Sequence, residues 1–157
     1  SLAPFELFPF ALGDACSRET IFQNEFSPSS SLLEMRRIHV EELPFTAATA
    51  SRCVEVRTLD SLIGDLNLPN NYAIKIDVQG YTLPVLRGGQ LVLSGAKSVV
   101  AEVSIESLYE GESNFDEVYQ FLKARNFEFC GCLDQWVSSR DSRILQCDCL
   151  FEQKSGD

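Results

Sequence analysis

Apolar positions along the 157-residue chain fall into two rhythms, one of period two and one of period 3.6, broken by short runs rich in Ser, Pro, Gly and Asn. "LFPFAL" (7–12) reads as a short strand ending at Gly13-Asp14, and "ETIFQNE" (19–25) alternates as a second. The loop "SPSSS" (27–31) follows, and "CVEVRT" (53–58) is the next strand. In "TLDSLIGDL" (58–66), Leu59, Leu62, Ile63 and Leu66 stand at helical spacing behind a Thr58 cap, and Pro69 closes the segment. "YAIKIDV" (72–78) and "SVVAEVS" (98–104) are nearly continuous apolar strands. Between them "LPVLRGG" (83–89) predicts a short helix, with Pro84 in its first turn and glycines past its end.

The clearest helix covers 114–125. Ser113 or Asn114 caps it, Asp116 and Glu117 fill the first turn, and Phe115, Val118, Tyr119 and Leu122 share one face. Asn126 is suited to close it in a left-handed conformation. "FEFCGC" (127–132) and "ILQCDCLFEQ" (144–153) then read as strands joined by a polar loop around Trp136. Strands alternating with helices predict an α/β fold with a mostly parallel sheet, and the last two strands, with no helix between them, an antiparallel edge. Residues 1–157 read as a single domain without internal repeats or low-complexity segments.

Against this pattern two strands carry misplaced charge. Lys75 and Asp77 lie in "YAIKIDV", and Glu102 lies in "VVAEV". Charge within a doubly covered strand is costly unless it is paired or lies at the strand's end. Asp77 stands just before Gly80, and Glu102 holds the matching end of the next strand, so two acids are delivered to the carboxyl rim where open α/β sheets bind ligands. A Lys75 salt bridge kept for structural reasons is the competing explanation, as is a Lys75 stem that carries its amine out to solvent.

Composition removes several functions. The formal charge of -10 and the lack of a basic run argue against a nucleic-acid or lipid-headgroup surface. No apolar stretch approaches the roughly 20 residues that span a bilayer. "SLAPFELFPFALG" lacks a basic leader region, which fits a cytoplasmic protein, and a first residue of Ser suggests a fragment or a processed product. Six cysteines include two C-x-C pairs, Cys130/Cys132 and Cys147/Cys149. Such spacing on straight strands converges sulfurs poorly, so buried free thiols are expected rather than a metal site. The sole histidine, His39, is expected at the surface without a chemical role.

"RTLDSLIGD", "AIKIDVQGYTLPVLRGG", "AEVSIESLYEG" and "FDEVYQFLKARNFEF" follow one another in an order that resembles the FkbM family of S-adenosylmethionine-dependent methyltransferases. "FPFALGD" with "FSPSSSLL" is similar to that family's segment after its third strand, and "QCDCLF" to its closing strand, the cysteines apart. The resemblance implies a Rossmann-like domain that methylates hydroxyls of sugars or small natural products. It places Ala11, Leu12 and Asp14 beside the cofactor's adenine, Lys75 and Asp77 near the methyl-transfer centre, Gln79 and Gly80 in the shaping turn, and Glu102 at the acceptor pocket. Asp77 is then a base for the acceptor hydroxyl, a contact to the cofactor's ammonium, or a metal contact. Lys75 keeps Asp77 ionised or steers an anionic acceptor. Tyr109, Trp136 and Arg140 lie in the loops expected to meet the acceptor.

The same resemblance calls for a D-x-G-x-x-x-G loop and two strands ahead of "FPFALGD", and nothing in the sequence supplies them. A sheet without those strands exposes an edge that invites homodimer formation. Two functions follow: an O-methyltransferase whose cofactor loop lies elsewhere, with weak S-adenosylmethionine binding by these residues alone, or a non-catalytic methyltransferase-like module acting in protein interaction. A different nucleotide-binding α/β enzyme is a weaker third.

Overall fold

The computed structural model describes residues 5–154, so residues 1–4 of the opening apolar segment lie outside the described residues. In chain order the elements are β1 (Ala11–Leu12), β2 (Ser17–Asn24), α1 (Arg37–Glu42), β3 (Thr49–Arg57), β4 (Ala73–Ile76), α2 (Thr82–Arg87), α3 (Gln90–Gly95), β5 (Ser98–Ser104), α4 (Phe115–Lys123), β6 (Phe127–Val137) and β7 (Ile144–Gln153). They form two sheets, of order β1-β3-β2 and β4-β5-β7-β6.

One mostly parallel sheet was the expectation, and it is corrected here. Only β1–β3 and β4–β5 pair in parallel, while β2–β3, β5–β7 and β6–β7 are antiparallel. The reason lies in the connections. The helical crossover through α2 and α3 returns β5 beside β4 in the same direction, as parallel pairing requires. The crossover through α4 likewise returns β6 in the direction of β5. The terminal hairpin then wedges β7 between them, and both of its pairings run antiparallel.

The core lies over the second sheet. Val99, Ala101 and Val103 of β5, Cys149 and Phe151 of β7, Leu83 and Leu86 of α2, and Val118 and Leu122 of α4 form one buried cluster. Each such aliphatic or aromatic side chain contributes roughly 1.5–3 kcal/mol by leaving water. α4 begins at a capping box: Asn114 Oδ1 accepts from Glu117 N, and Glu117 Oε2 accepts from Asn114 N, both at 3.0 Å. It ends before Asn126, whose φ of 68° is left-handed as its sequence position suggests. The sheets are joined where α2 ends: a Cβ on Gly88 would lie 2.0 Å from the Gly13 carbonyl oxygen, so only glycine lets the two backbones touch.

Elsewhere tertiary contacts overrule local pattern. "LFPFAL" contributes only Ala11–Leu12 as strand, because Pro9 has no N–H to give a ladder. "TLDSLIGDL" closes a single 3-10 turn, Leu59–Leu62, with Thr58 Oγ1 accepting from Ser61 N at 3.1 Å. Only Leu62 of that turn is buried, too little packing to extend a helix. Meanwhile the Asp60 carboxylate accepts from the N–H groups of Leu91 and Val92 at the start of α3, a helix the pattern did not announce. Trp136, expected in a loop, is part of β6.

Two further expectations are corrected. His39, expected at the surface, is 1% exposed within α1, where Tyr109 and Trp136 pack their rings against it. Of the six thiols, Cys147 and Cys149 are buried, but Cys16, Cys53, Cys130 and Cys132 are exposed. Register shifts around Gly131 and between Cys132 and Asp134 separate the two C-x-C pairs, so only Cys132 and Cys149 face each other directly, with sulfurs 4.0 Å apart.

Candidate functional site

The parallel register of β4 with β5 sets Ile76 opposite Ala101, so the residues that follow stand level: Asp77 just past the end of β4, and Glu102 not at the end of its strand as expected but two residues inside it, still paired with Asp148 of β7. The chain then turns sharply. Gln79 (φ 50°) and Gly80 (φ 88°) both adopt left-handed backbone, and a Cβ on Gly80 would meet Glu112 Oε2 at 2.9 Å. This turn throws the Gln79 side chain back across the strand ends. Its Nε2 donates to Asp77 Oδ1 at 3.0 Å and to Glu102 Oε2 at 2.9 Å. Ser31 Oγ donates to the Gln79 carbonyl at 2.6 Å, and Thr82 Oγ1 to the Glu102 carbonyl at 2.8 Å, so the turn and the strand end are both pinned.

Asp77 is exposed and Glu102 half-buried, a difference with chemical consequences. Burial first, then the neighbouring Asp77 and Asp148 carboxylates, push Glu102 up to about 8, with Lys75 pulling the other way. Lys75 Nζ lies 2.6 Å from Asp148 Oδ2 and 3.7 Å from Asp77 Oδ2. Burial alone would lower its ammonium, but the hydrogen bond and charge of Asp148, followed by Asp77 and Glu102, hold it above the usual lysine value. Lys75 is thus a half-exposed bridge committed to Asp148, which leaves little of its charge to steer an anionic acceptor.

Behind the carboxylates stands a layer whose role sequence reasoning misplaced, since Tyr109 was expected to meet the acceptor. Tyr109 is fully buried, and its hydroxyl donates to Gln79 Oε1 at 2.8 Å while lying 3.2 Å from His39 Nε2. Burial, with the charges of Glu102, Glu112 and Asp77 behind it, drives the phenol well above the usual tyrosine range. Glu112 holds Tyr109 in place: its Oε1 accepts from the Leu108 and Tyr109 N–H groups, and Oε2 from Ser104 Oγ at 2.7 Å. The available signal was weak, a lone histidine and a tyrosine 70 residues apart. Asp148 had a better one, being a charge inside the apolar strand "ILQCDCLF".

Two cavities border the carboxylate pair. A groove of about 290 Å³ includes Ala11, Leu12, Val78 and Tyr81 in its walls and Asp77 at its edge. A shallower cleft of about 140 Å³ is bordered by Glu102, Asp134, Trp136, Gln146 and Asp148. Asp14 is exposed and does not line the groove, although it is near enough to raise the Tyr81 phenol after burial has done so. Gln79 and Gly80 form the turn between the two. Arg140, expected to meet the acceptor, lines neither and is ion-paired with Glu41 of α1.

Among the described residues no cluster of three or more His, Cys, Asp or Glu is arranged for a metal ion, and no helix is long and apolar enough to cross a membrane. No curated protein and no solved structure matches the chain. A sequence model of the methyltransferase FkbM domain does match, over residues 7–129, a span that contains β1 to α4 and every carboxylate of the pair and its turn. The chain therefore belongs to the FkbM methyltransferase family.

Proposed function

We propose that this chain transfers a methyl group from S-adenosylmethionine to a hydroxyl of a sugar or small natural product, with Glu102 as the base on the acceptor side and Asp77 as the carboxylate on the cofactor side. The observation that carries this is the pair itself: two carboxylates joined through one amide, each bordering a different cavity.

The groove suits part of the cofactor by its chemistry. Leu12, Ile21, Leu32 and Tyr81 offer apolar walls to a flat adenine, Ala11 leaves room beside it, and Asp77 offers a negative charge to a cationic end. No glycine-rich loop for the remainder stands among these 157 residues. S-adenosylmethionine, when bound, supplies an electrophilic methyl group on a sulfonium. The chain's own part would be to hold an acceptor hydroxyl in the cleft and to take its proton.

Glu102 fits that role because a base works best when its proton affinity lies near the operating pH. The cleft's Asp134 and Asp148 carboxylates, with Lys75 already engaged, favour a neutral polyol over an anion. A base titrating near 8 must lose its proton before it can act, so kcat/KM should rise with pH through about 8 and level above it. Glu102→Gln should lower turnover by about 10²–10⁴-fold and abolish that rise. Asp77→Asn should instead weaken cofactor binding, read by calorimetry. Wild-type turnover in Glu102→Gln would overturn the assignment.

A further inference from the structure

His39 is the chain's only histidine, and it is buried beside a hydrogen-bonded line that ends on both carboxylates. The line can be followed one proton at a time. Gln79 Nε2 spends its two N–H groups on Asp77 and Glu102, so Gln79 Oε1 faces the opposite way and can only accept. Tyr109 has one hydroxyl proton, and the only acceptor-only atom beside it is that Oε1, at 2.8 Å. Its oxygen is then open to accept from His39 Nε2, at 3.2 Å, which requires the neutral ring to carry its proton on Nε2. At the far side Thr46 Oγ1 lies 3.3 Å from His39 Nδ1 but donates its one proton to the Leu43 carbonyl at 2.7 Å, so in this tautomer Nδ1 receives no proton from it. Reversing the Gln79 amide would turn its oxygen onto two carboxylates and leave the Tyr109 proton without its acceptor.

We infer that His39 and Tyr109 are positioning residues that fix the direction of the Gln79 amide and thereby set the proton affinity of the Asp77–Glu102 pair. The titration is a property of the fold; its consequence for methyl transfer rests on the reading of Glu102 as base. The other charges facing Glu102 are Asp77 and Lys75 at β4, Asp148 on β7 and Asp134 across the cleft on β6, with Glu112 reaching it through Tyr109. Burial keeps the imidazole below its usual value, so at neutral pH the ring is uncharged and acts by direction alone. A Gln79 N–H favours the ionised form of Glu102, and losing it raises the carboxyl further.

Carboxyl-carbon NMR of Glu102 and nitrogen NMR of the single imidazole, read against pH, test this. In Tyr109→Phe the amide loses its restraint, and the Glu102 midpoint should move upward from about 8 by roughly one pH unit. His39→Leu should move it the same way by less. His39→Gln, whose amide N–H can reach the Tyr109 oxygen, should restore it. Should Tyr109→Phe fail to fold, the two His39 variants carry the same comparison. A fall in melting temperature with an unmoved Glu102 midpoint in all variants would reduce both residues to packing and overturn the inference, as would an imidazole protonated on Nδ1 at neutral pH. If the midpoint moves but the pH profile of methyl transfer does not, the relay stands and Glu102 is not the base.

Discussion

Around β5 and β7 the protein is closed by apolar contact, with Val99, Ala101, Leu122, Cys149 and Phe151 fully buried. Around β2 and β3 most side chains face solvent, and the buried groups in and between those strands include Asn24, Ser29, Ser31, His39 and Thr46. One half is therefore held by area removed from water, which is non-directional, and the other by hydrogen bonds, which are directional. The candidate site lies where these two kinds of cohesion meet. β4 and β5 deliver Asp77 and Glu102 from the apolar half, and Ser31 and His39 reach them from the polar half through Gln79 and Tyr109.

The largest effect should come from the apolar half. Phe151 sits near the C-terminal end of β7, opposite Val99 and Phe129, with no exposed surface. Phe151→Ala should cost about 3–5 kcal/mol in urea unfolding, from lost transfer energy and the cavity left behind. A loss under about 1 kcal/mol would mean that the sheet is not where the stability resides.

A smaller and more local effect is expected from the polar half. Asn24 Nδ2 donates to the carbonyls of Thr46 (2.6 Å) and Ala48 (3.0 Å), and its Oδ1 accepts from Phe26 N at 2.8 Å. Asn24→Ala orphans three backbone groups and should cost about 1–3 kcal/mol. Because directional bonds fail locally, amide exchange should quicken for Phe26 and around 46–48 while β5 and β7 keep their protection. Uniform loss of protection would show that the halves unfold as one and erase the distinction.

The same division explains what could be read from residue order. β5 and β7 were legible to their ends, because a strand buried among neighbours is mostly apolar, and "SVVAEVS" and "ILQCDCLFEQ" are its trace despite Glu102 and Asp148. α4 was legible because its cap is local: Asn114 and Glu117 are three residues apart. Asp77 was legible from its strand end, whereas Glu102 lies two residues inside β5 rather than at its end. Gln79 was expected in a turn, but its bridging role was hidden, since it depends on Tyr109, 30 residues away, and through it on His39, itself 70 residues from Tyr109. α1 was hidden too. Its buried residue is a histidine, and a six-residue helix is too short to print a periodic stripe. Polar cohesion leaves little periodic mark in sequence, so it is where pattern reading stops.

The smallest stability effect tests which half Lys75 serves. Its ammonium and the Asp77 carboxylate are both about half-exposed, at 46% and 47%, and Asp148 is more sheltered at 26%. Exposed pairs of this kind contribute about 0–1 kcal/mol, since solvent screens them and two side chains must be ordered. Lys75→Met should therefore leave unfolding within about 1 kcal/mol of wild type. Its signature should appear elsewhere. Lys75 is the positive charge that holds Glu102 down, so its removal should move the Glu102 midpoint above about 8 and carry the pH dependence of methyl transfer with it. A stability loss of several kcal/mol with an unmoved midpoint would make Lys75 part of the structural cohesion of β4 and β7 instead. An unmoved stability with a raised midpoint would make it a tuner of the site, a charge kept in an apolar strand for what it does to the acid one strand away.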